Sequence, residues 1–308
     1  MREKHFGSLQ LWFAIVVVGI CVALPARAAQ RGLYGESLCD TPGYHCITAG
    51  TSVVEKTVRT RKGKTVIKKK VRDTWENLWP DPREREIVIK LNRMNLRLRK
   101  GMVVAVPDDM AGKTYMDYSP FPLRLEPVCA PKGEPVCRLR CDNCGSGQEK
   151  VKRVCEQECD PAQKLAFGPD GELHGEKLII FDPKLLAFAA YDEQGRLVRW
   201  GPAAGGRSWC PDIGKRCLTV TGEFKVNSKE GRWASSSQFP VAKDDEPAGG
   251  APTPYFLSFT RGFGIHASTD VPGRNASHGC VRIFFEDAKW LNLEFADIGT
   301  RVVVEPYD

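Results

Sequence analysis

The chain has 308 residues, a formal net charge of +7 and twelve cysteines. That length is enough for two or three small domains, each with a core of its own. The mild positive charge suits an anionic envelope surface, and the sequence contains no recognisable nucleic-acid-binding module, so nucleic acid is not expected as a partner.

The first residues have the pattern of an export signal. Arg2 and Lys4 precede an apolar stretch at residues 11–24, and Ala-Arg-Ala at 26–28 supplies the small residues that a signal peptidase requires. We expect a signal peptide at residues 1–28 and a mature protein in the periplasm or cell envelope. A retained anchor is the alternative, because the apolar run is only slightly shorter than a membrane span. Contact with a membrane is expected only through such an uncleaved leader.

Cysteine parity singles out one residue. Export implies an oxidising compartment, and loss of Cys21 with the leader leaves eleven cysteines, an odd number. Ten of them can form five disulfides, and we expect Cys280 to stay free because it stands near two histidines, His266 and His278. Lipid attachment at Cys21 is disfavoured because Ile20 is a poor fit for the small residue that such processing needs.

Residues 29–115 are predicted to form a small α/β module. The segment 57–71 alternates β-branched and basic residues around Gly63, which predicts a hairpin with a cationic face. That face is either a binding patch or a solvated edge that resists aggregation. A short helix capped by Thr74 or Asp73, a second helix at residues 83–92 and a closing strand at residues 98–107 are expected to follow.

This order of elements resembles the LysM peptidoglycan-binding module. The resemblance rests on an opening strand near Tyr44 and on the phrase NRMN at 92–95, followed by Leu98, Gly101 and the Val-Pro pair at 106–107. It implies that the module binds glycan, whereas a plain structural cap is the alternative. The basic hairpin departs from the compact pattern of the family.

Residues 116–172 are predicted to be a disulfide-stapled insert. Two pairs of cysteines four residues apart fit one face of each of two short helices, and CxxC spacing leaves zinc binding as an alternative that export disfavours. No metal or organic cofactor is expected. Six cysteines allow about fifteen connectivities, so the pairing stays open; two such helices would favour bonds from Cys137 to Cys159, from Cys141 to Cys155, and from Cys129 to Cys144.

Residues 173–308 are predicted to form a mainly β domain. Frequent short strands with glycine and proline turns indicate a β-sandwich-like fold with few helices. One helix is expected at residues 286–293, and a local disulfide is expected between Cys210 and Cys217. The predicted strands are 177–181, 185–191, 196–200, 219–224, 256–259, 263–266, 281–284 and 301–304.

The run SHGCVRI at residues 277–283 contains the parts of a cysteine acyl-transfer site. Only the thiolate of Cys280 is a strong nucleophile, and an imidazole can take its proton, from either His266 or His278. Gly279 lets the backbone pass close to a substrate, and the amides of residues 279 and 280 are the candidate oxyanion donors.

The run and its surroundings resemble the L,D-transpeptidase (YkuD-type) catalytic domain over residues 176–306. Matching features are the upstream His266, the SHGCVR run, and the phrases TGEF at 221–224, PYFL at 254–257 and GTRV at 299–302. The resemblance implies that Cys280 attacks a peptidoglycan stem peptide at the carbonyl before its terminal D-alanine. His266 would be the base, and an amine of a neighbouring stem, or of a protein or lipoprotein, would accept the acyl group.

The remaining site residues have narrower expected roles. His278 is expected to be structural or to orient the substrate, Arg282 to pair with a substrate carboxylate or orient the loop, and Ser277 and Ser268 to support the histidines and contact the substrate. Ala267 stands where the family usually has glycine, which bears on substrate choice.

Three other functions remain open at this point. Water in place of an amine would make the protein an L,D-carboxypeptidase. A non-catalytic wall-binding protein would hold Cys280 in a disulfide, and a papain-like protease lacks its signature here. The segment 243–253, with Trp209 and Trp233, is either a lid over the cleft or an ordinary surface loop.

Overall fold

The computed structural model describes most of the chain after residue 32. The predicted signal peptide lies outside the described residues, and so do Cys129, Cys144 and Cys159. No helix among the residues described is both long enough and apolar enough to cross a membrane. The described ranges are 33–60, 63–125, 136–142, 150–156, 165–167, 173–242 and 247–308.

The N-terminal module has the predicted order of strand, hairpin, two helices and strand. Its outer strands pair antiparallel, from Tyr44 opposite Pro107 to Thr48 opposite Val103. The hairpin forms a separate two-stranded sheet. The elements are β1 (Tyr44–Thr48), β2 (Thr51–Thr60), β3 (Gly63–Arg72), α1 (Trp75–Leu78), α2 (Pro82–Leu91) and β4 (Val103–Pro107).

Local sequence explains where the two helices of this module begin. Thr74 caps α1 by accepting a hydrogen bond from the Asn77 amide, and Asp81 caps α2 with Pro82 in its first turn. The helices bury Trp75 and Trp79, whose ring centroids lie 5.7 Å apart, against the two-stranded β1–β4 sheet. The module therefore has its own small apolar core.

The Cys-rich insert contains strands where helices were predicted. Its described residues form the antiparallel hairpin β5 (Val136–Asp142) and β6 (Lys150–Glu156), and then the pair β7 (Leu165–Phe167) and β8 (Leu173–Gly175). The helical prediction was wrong because residues 137–142 alternate strictly between Cys or Leu and charged residues. A period of two favours a strand over a helix.

The register of this hairpin also differs from the predicted pairing of cysteines. Cys137 lies opposite Cys155, whereas Cys141 lies opposite Val151. The backbone therefore does not bring Cys141 and Cys155 together as directly opposed residues.

The C-terminal part is built on one nine-stranded sheet, in the order β12-β17-β9-β10-β11-β16-β15-β14-β13. Two pairs, β17–β9 and β15–β16, are parallel, and the others are antiparallel. The strands are β9 (Leu178–Asp182), β10 (Ala187–Tyr191), β11 (Leu197–Ala204), β12 (Gly222–Lys225), β13 (Ser228–Lys229), β14 (Leu257–Thr260), β15 (Phe263–Ala267), β16 (Val281–Ile283) and β17 (Arg301–Val304).

This sheet curls on itself, and the fold is mainly β with few helices, as predicted. The long strand β11 pairs with β10 and, at its end, with β16, so both halves belong to one continuous sheet. Phe224 of β12 and Phe259 of β14 come from opposite ends of the sheet, yet their rings lie 5.2 Å apart. Helix α3 (Phe285–Trp290) and a π-helical turn at Leu291–Phe295 cover part of the same core.

Candidate active site

The parallel pair β15–β16 sets the geometry of the site. Ile265 pairs with Val281, and both side chains enter the hydrophobic core. Side chains alternate along a strand, so His266 and Arg282, which are also paired, face the opposite side, as does Cys280 just before β16. These three residues border one cavity of about 580 Å³, together with Ser268, Ser277 and His278. The chain thus brings all the predicted site residues except Gly279 to the border of a single cleft.

Cys280 is a free thiol, as the cysteine parity predicted. Two other pairs, Cys39–Cys46 and Cys210–Cys217, are disulfide-bonded, the second as predicted. Burial raises the pKa of the Cys280 thiol, and a hydrogen bond from the Gly264 backbone and the charge of Arg282 oppose that rise only in part. The resting sulfur is therefore protonated at neutral pH and needs a base.

His266 has the protonation state of a base. Its side chain is 6% exposed, and burial lowers its pKa to about 4, although a hydrogen bond to Ala267 opposes that fall. Nδ1 lies 2.8 Å from the carbonyl oxygen of Ala267. A carbonyl only accepts hydrogen bonds, so Nδ1 carries the hydrogen and Nε2 is left with its lone pair.

The turn before Cys280 requires glycine at position 279. Gly279 has φ of +131°, and a Cβ there would lie 2.9 Å from the ring of Phe263. Ser277 fixes the turn, because its hydroxyl accepts from the Gly279 amide at 3.0 Å and donates to the Cys280 carbonyl. The Gly279 amide is thus engaged within the loop, which leaves the Cys280 amide as the remaining candidate of the two predicted oxyanion donors.

Thr219 supports the same turn and was not predicted as a site residue. It is 1% exposed, and its hydroxyl donates to the Gly279 carbonyl at 2.6 Å and accepts from the Gly206 amide at 3.0 Å. It stands 60 residues before Gly279. Its proximity to the TGEF phrase at 221–224 was the only signal in the sequence.

His278 contacts Asp212 and Phe239, which does not support a role as the base. Its Nε2 lies 2.6 Å from a carboxylate oxygen of Asp212, and its ring lies 4.6 Å from that of Phe239. Burial by itself raises the pKa of Asp212, but the hydrogen bond and charge of His278 outweigh it, so the pKa lies below its usual value. Sequence reasoning missed Asp212, which lies in the loop closed by Cys210 and Cys217.

The same loop contains a cluster with the composition of a metal site. Cys210, Asp212 and His278 each place one ligand atom within 4.8 Å of the others. The sulfur of Cys210 is bonded to Cys217, however, so it is not a thiolate that could hold a metal ion. The cluster is a disulfide-bonded loop with a hydrogen bond between Asp212 and His278.

Arg282 is paired within the chain. Its Nη1 lies 2.6 Å from a carboxylate oxygen of Asp270, a residue that sequence reasoning did not select. The hydroxyl of Ser268 accepts from the Asp270 amide at 3.0 Å, so it shapes this turn rather than contacting a histidine. Ala267 is 1% exposed and belongs to the hydrophobic core, so its methyl group packs there at the edge of the cavity.

The end of the segment considered as a lid, residues 251–253, borders the cavity together with residues outside that segment. Residues 235–239 and 251–254 border the cavity, and they are joined by backbone hydrogen bonds such as Ala251 N to Phe239 O at 2.9 Å. Trp233 and Trp209 are 87% and 54% exposed. Residues 243–246 of this segment lie outside the described residues.

No curated protein matches this chain. An L,D-transpeptidase of Xylanimonas cellulosilytica is 26% identical with a TM-score of 0.36, over 43% of this chain and 61% of that one. L,D-transpeptidase 3 of Mycobacterium tuberculosis, solved with a faropenem-derived adduct, is 26% identical with a TM-score of 0.35, over 42% and 60%.

A third solved structure, an L,D-transpeptidase from Mycobacterium smegmatis, is 20% identical with a TM-score of 0.36, over 56% of this chain and 88% of that one. The chain thus spans less than two thirds of the length of the first two structures. A family model does match the part of the chain that holds the cleft: residues 176–304 match the L,D-transpeptidase catalytic domain, YkuD.

Proposed function

We propose that the protein is an exported cysteine acyltransferase that acts on peptidoglycan stem peptides. It cleaves the L,D bond before the terminal D-alanine and transfers the acyl group to an amine of another stem peptide, a protein or a lipoprotein. One observation carries the proposal: a free thiol, Cys280, and a neutral imidazole, His266, border one cavity within the stretch that matches the L,D-transpeptidase catalytic domain.

The first half-reaction forms a thioester. Nε2 of His266 takes the proton of Cys280 as Sγ attacks the carbonyl carbon before D-alanine. The Cys280 amide donates to the oxyanion of the tetrahedral intermediate. The carbon–nitrogen bond then breaks, and the departing amine of D-alanine takes from His266 the proton that came from Cys280. D-alanine is released, and the acyl-enzyme remains.

The second half-reaction consumes the acyl-enzyme. An acceptor amine attacks the thioester carbonyl and gives its proton to His266, and the carbon–sulfur bond breaks as Cys280 recovers that proton. Because His266 is neutral above about pH 4, it can accept a proton in both halves at neutral pH. Water in place of the amine would give the carboxypeptidase reaction with the same groups.

The other residues of the cleft hold and select the substrate. Arg282 is the cation available to a stem-peptide carboxylate, next to its partner Asp270. His278, fixed between Asp212 and Phe239, orients the substrate near Cys280. Ser277 and Ser268 act through the turns that they stabilise on either side of the cleft.

The parts outside residues 176–304 fit the same setting. We include in the proposal a cleaved leader at 1–28, a LysM-like module at 29–115 that binds glycan strands, and the insert at 116–172. The order of β1, α1, α2 and β4, with the antiparallel pairing of the two strands, supports the module assignment. The disulfides Cys39–Cys46 and Cys210–Cys217 support an oxidising compartment.

The test is intact-mass spectrometry of the mature protein with purified muropeptides, wild type beside Cys280→Ala. We expect an acyl adduct on the wild type alone, release of D-alanine and a new cross-linked product. Trimmed stem peptides without cross-links would replace the transferase by an L,D-carboxypeptidase. Absence of both an adduct and D-alanine release would overturn the enzyme proposal and leave a wall-binding protein.

A further inference from the structure

The segment that follows His266 is held by the N-terminal module. Residues 268–273 leave β15 and run along the cleft before the chain turns back towards Cys280. The module and the sheet belong to one compact unit, Leu33–Asp308. The contacts between the module and this segment centre on one asparagine, Asn95, in the phrase singled out for its resemblance to LysM modules.

Asn95 uses both ends of its amide on this segment. Its Nδ2 donates to the Ser268 carbonyl at 2.8 Å, and its Oδ1 accepts from the Val271 amide at 3.0 Å. The backbone amide of Asn95 also donates to the Val271 carbonyl at 3.1 Å. Three hydrogen bonds therefore fix the two ends of a four-residue turn from outside the catalytic domain.

Neighbouring contacts extend this attachment to the end of the segment. Met94, which is fully buried, forms a β-bridge with Pro272. The Tyr34 amide donates to the Gly273 carbonyl at 3.1 Å. Gly273 has φ of +70°, and a Cβ there would lie 3.2 Å from the carbonyl oxygen of Asn92, so the backbones approach closely.

The helix that precedes Asn95 is itself anchored to the domain. The guanidinium of Arg93 donates to the Leu185 carbonyl at 3.0 Å, and the ammonium of Lys90 lies 3.4 Å from Asp287. Both side chains are almost completely buried. The backbone at Asn95 is therefore fixed, so its side chain can restrain the turn at residues 268–271.

The opposite side of the turn is the wall of the cleft. Ser268, Thr269 and Asp270 border the cavity, and Asp270 forms the ion pair with Arg282. The two residues that Asn95 grips, Ser268 and Val271, flank Asp270 in the chain. A shift of this turn would change where the Asp270 carboxylate lies, and with it how much of the positive charge of Arg282 faces the substrate.

We propose that Asn95 is a positioning residue of the active site: it holds residues 268–271 so that Asp270 fixes and partly neutralises Arg282 beside Cys280. One consequence, that the N-terminal module influences substrate affinity, rests on the proposed function. The structural core of the inference, the link from Asn95 through Asp270 to Arg282, can be tested without any substrate.

That test measures alkylation of Cys280 by iodoacetate and by iodoacetamide in the full mature chain. Both reagents attack the same thiolate, so the ratio of their rates is independent of the thiol pKa. Iodoacetate alone carries a negative charge and responds to Arg282. We expect Asp270→Ala and Asn95→Ala each to raise the iodoacetate-to-iodoacetamide ratio by about two- to fivefold, the size of a partly exposed ion pair.

Asn77→Ala is the matched control. Asn77 lies in the same module and also uses both ends of its amide on backbone groups, accepting from Thr74 at 2.7 Å and donating to Arg72 at 2.9 Å, but it does not border the cleft. We expect its ratio to equal that of the wild type. Asn95→Asp, which keeps the acceptor and loses the donor, should lie between Asn95→Ala and wild type.

The activity readout is the release of D-alanine from muropeptides. Asn95→Ala should lower KM by about two- to fivefold, because Arg282 presents more of its positive charge to the substrate carboxylate. The change in kcat should be smaller, because Cys280 and His266 are not altered. An unchanged alkylation ratio in Asn95→Ala, or in Asp270→Ala, would overturn the inference. A wild type that releases no D-alanine but shows the expected ratios would overturn the proposed function and leave the positioning role in place.

Discussion

At the scale of single residues, the buried neutral imidazole of His266 links the chemistry to stability. Its folded pKa of about 4 lies below the usual value of about 6.5, so the unfolded chain binds the proton more tightly. Stability is therefore complete above pH 6.5 and is lost as pH falls from there towards 4. Because the fold holds His266 in its neutral form, the free energy of unfolding decreases in acid.

The first prediction follows from that sign. Between pH 7 and pH 4.5 the wild type should lose about 2 kcal/mol of unfolding free energy through His266 alone, and His266→Gln should not show this loss. Urea unfolding of both proteins at the two pH values measures the difference. His45→Gln alters an exposed histidine outside the cleft and should behave as the wild type. An equal acid loss in His266→Gln would show that the imidazole is not held neutral.

The second prediction concerns the pair of Asp212 and His278. Asp212→Asn keeps the shape of the side chain but removes the negative charge of the carboxylate next to His278. We expect kcat/KM for D-alanine release to fall about two- to fivefold, the size of a partly exposed polar pair. The pKa of Asp212 is lowered, so the contribution of the carboxylate persists in mild acid and disappears only as pH falls through that lowered value.

A double-mutant cycle separates this pair from its surroundings. Asp212→Asn should have no further effect once His278→Gln has removed its partner. If Asp212→Asn lowers kcat/KM equally in both backgrounds, the carboxylate acts on the site by another route.

At the scale of elements, the residues that sequence could predict are those whose partners are close in the chain. Thr74 is recognisable as a cap because Asn77 is three residues away, and Gly279 and Cys280 are recognisable within one heptapeptide. Asp212 and Asn95 were missed because their partners lie 66 and 173 residues away. Only the tertiary fold brings such residues together, and no local pattern marks them.

The loop between Cys210 and Cys217 shows how one element carries a site residue. The two cysteines are only seven residues apart in the chain. A Cβ on Gly206 would overlap the Cys217 carbonyl, so the loop lies tightly against the segment that follows β11. Gly206 also forms a β-bridge with Ser277, in the turn before Cys280. The disulfide, the close approach of Gly206 to Cys217 and the bridge to Ser277 therefore hold Asp212 against His278.

The third prediction uses the two disulfides as a matched pair. Cys39–Cys46 has the same sequence separation of seven residues but lies in the N-terminal module. Replacing either pair by serines should lower the unfolding free energy by about 2 kcal/mol. Only the Cys210→Ser/Cys217→Ser protein should also lose kcat/KM, by about the same factor as Asp212→Asn. Equal activity of the two serine proteins would show that the loop does not position His278.

At the scale of the whole molecule, a buried ion pair joins the N-terminal module to the sheet. Lys90 of α2 is 4% exposed and lies 3.4 Å from Asp287 of α3, which Arg199 approaches at the same distance. The second carboxylate oxygen of Asp287 has no hydrogen-bond partner among the described residues. Charges in such a place stabilise the fold only as a pair, because each would be costly alone.

The fourth prediction is that Lys90→Met lowers the unfolding free energy by about 3–5 kcal/mol, because it leaves the Asp287 carboxylate buried with Arg199 alone. The double variant Lys90→Met/Asp287→Leu should recover most of that loss. Lys113→Met removes an exposed pair with Asp109 and should change stability by less than about 1 kcal/mol. Urea unfolding of the four proteins at pH 7 measures these differences.

The pH dependence of the Lys90→Met penalty distinguishes a lost ion pair from lost packing. Burial already raises the pKa of Asp287, and the charges of Lys90 and Arg199 oppose that rise. Without Lys90 the pKa rises further, so the folded variant binds a proton more tightly than the unfolded chain does. Its stability relative to the wild type should therefore improve as pH falls from 7 to 5. A penalty that stays constant over this range would mean that the module is held to the sheet by the aliphatic stem of Lys90 rather than by its charge.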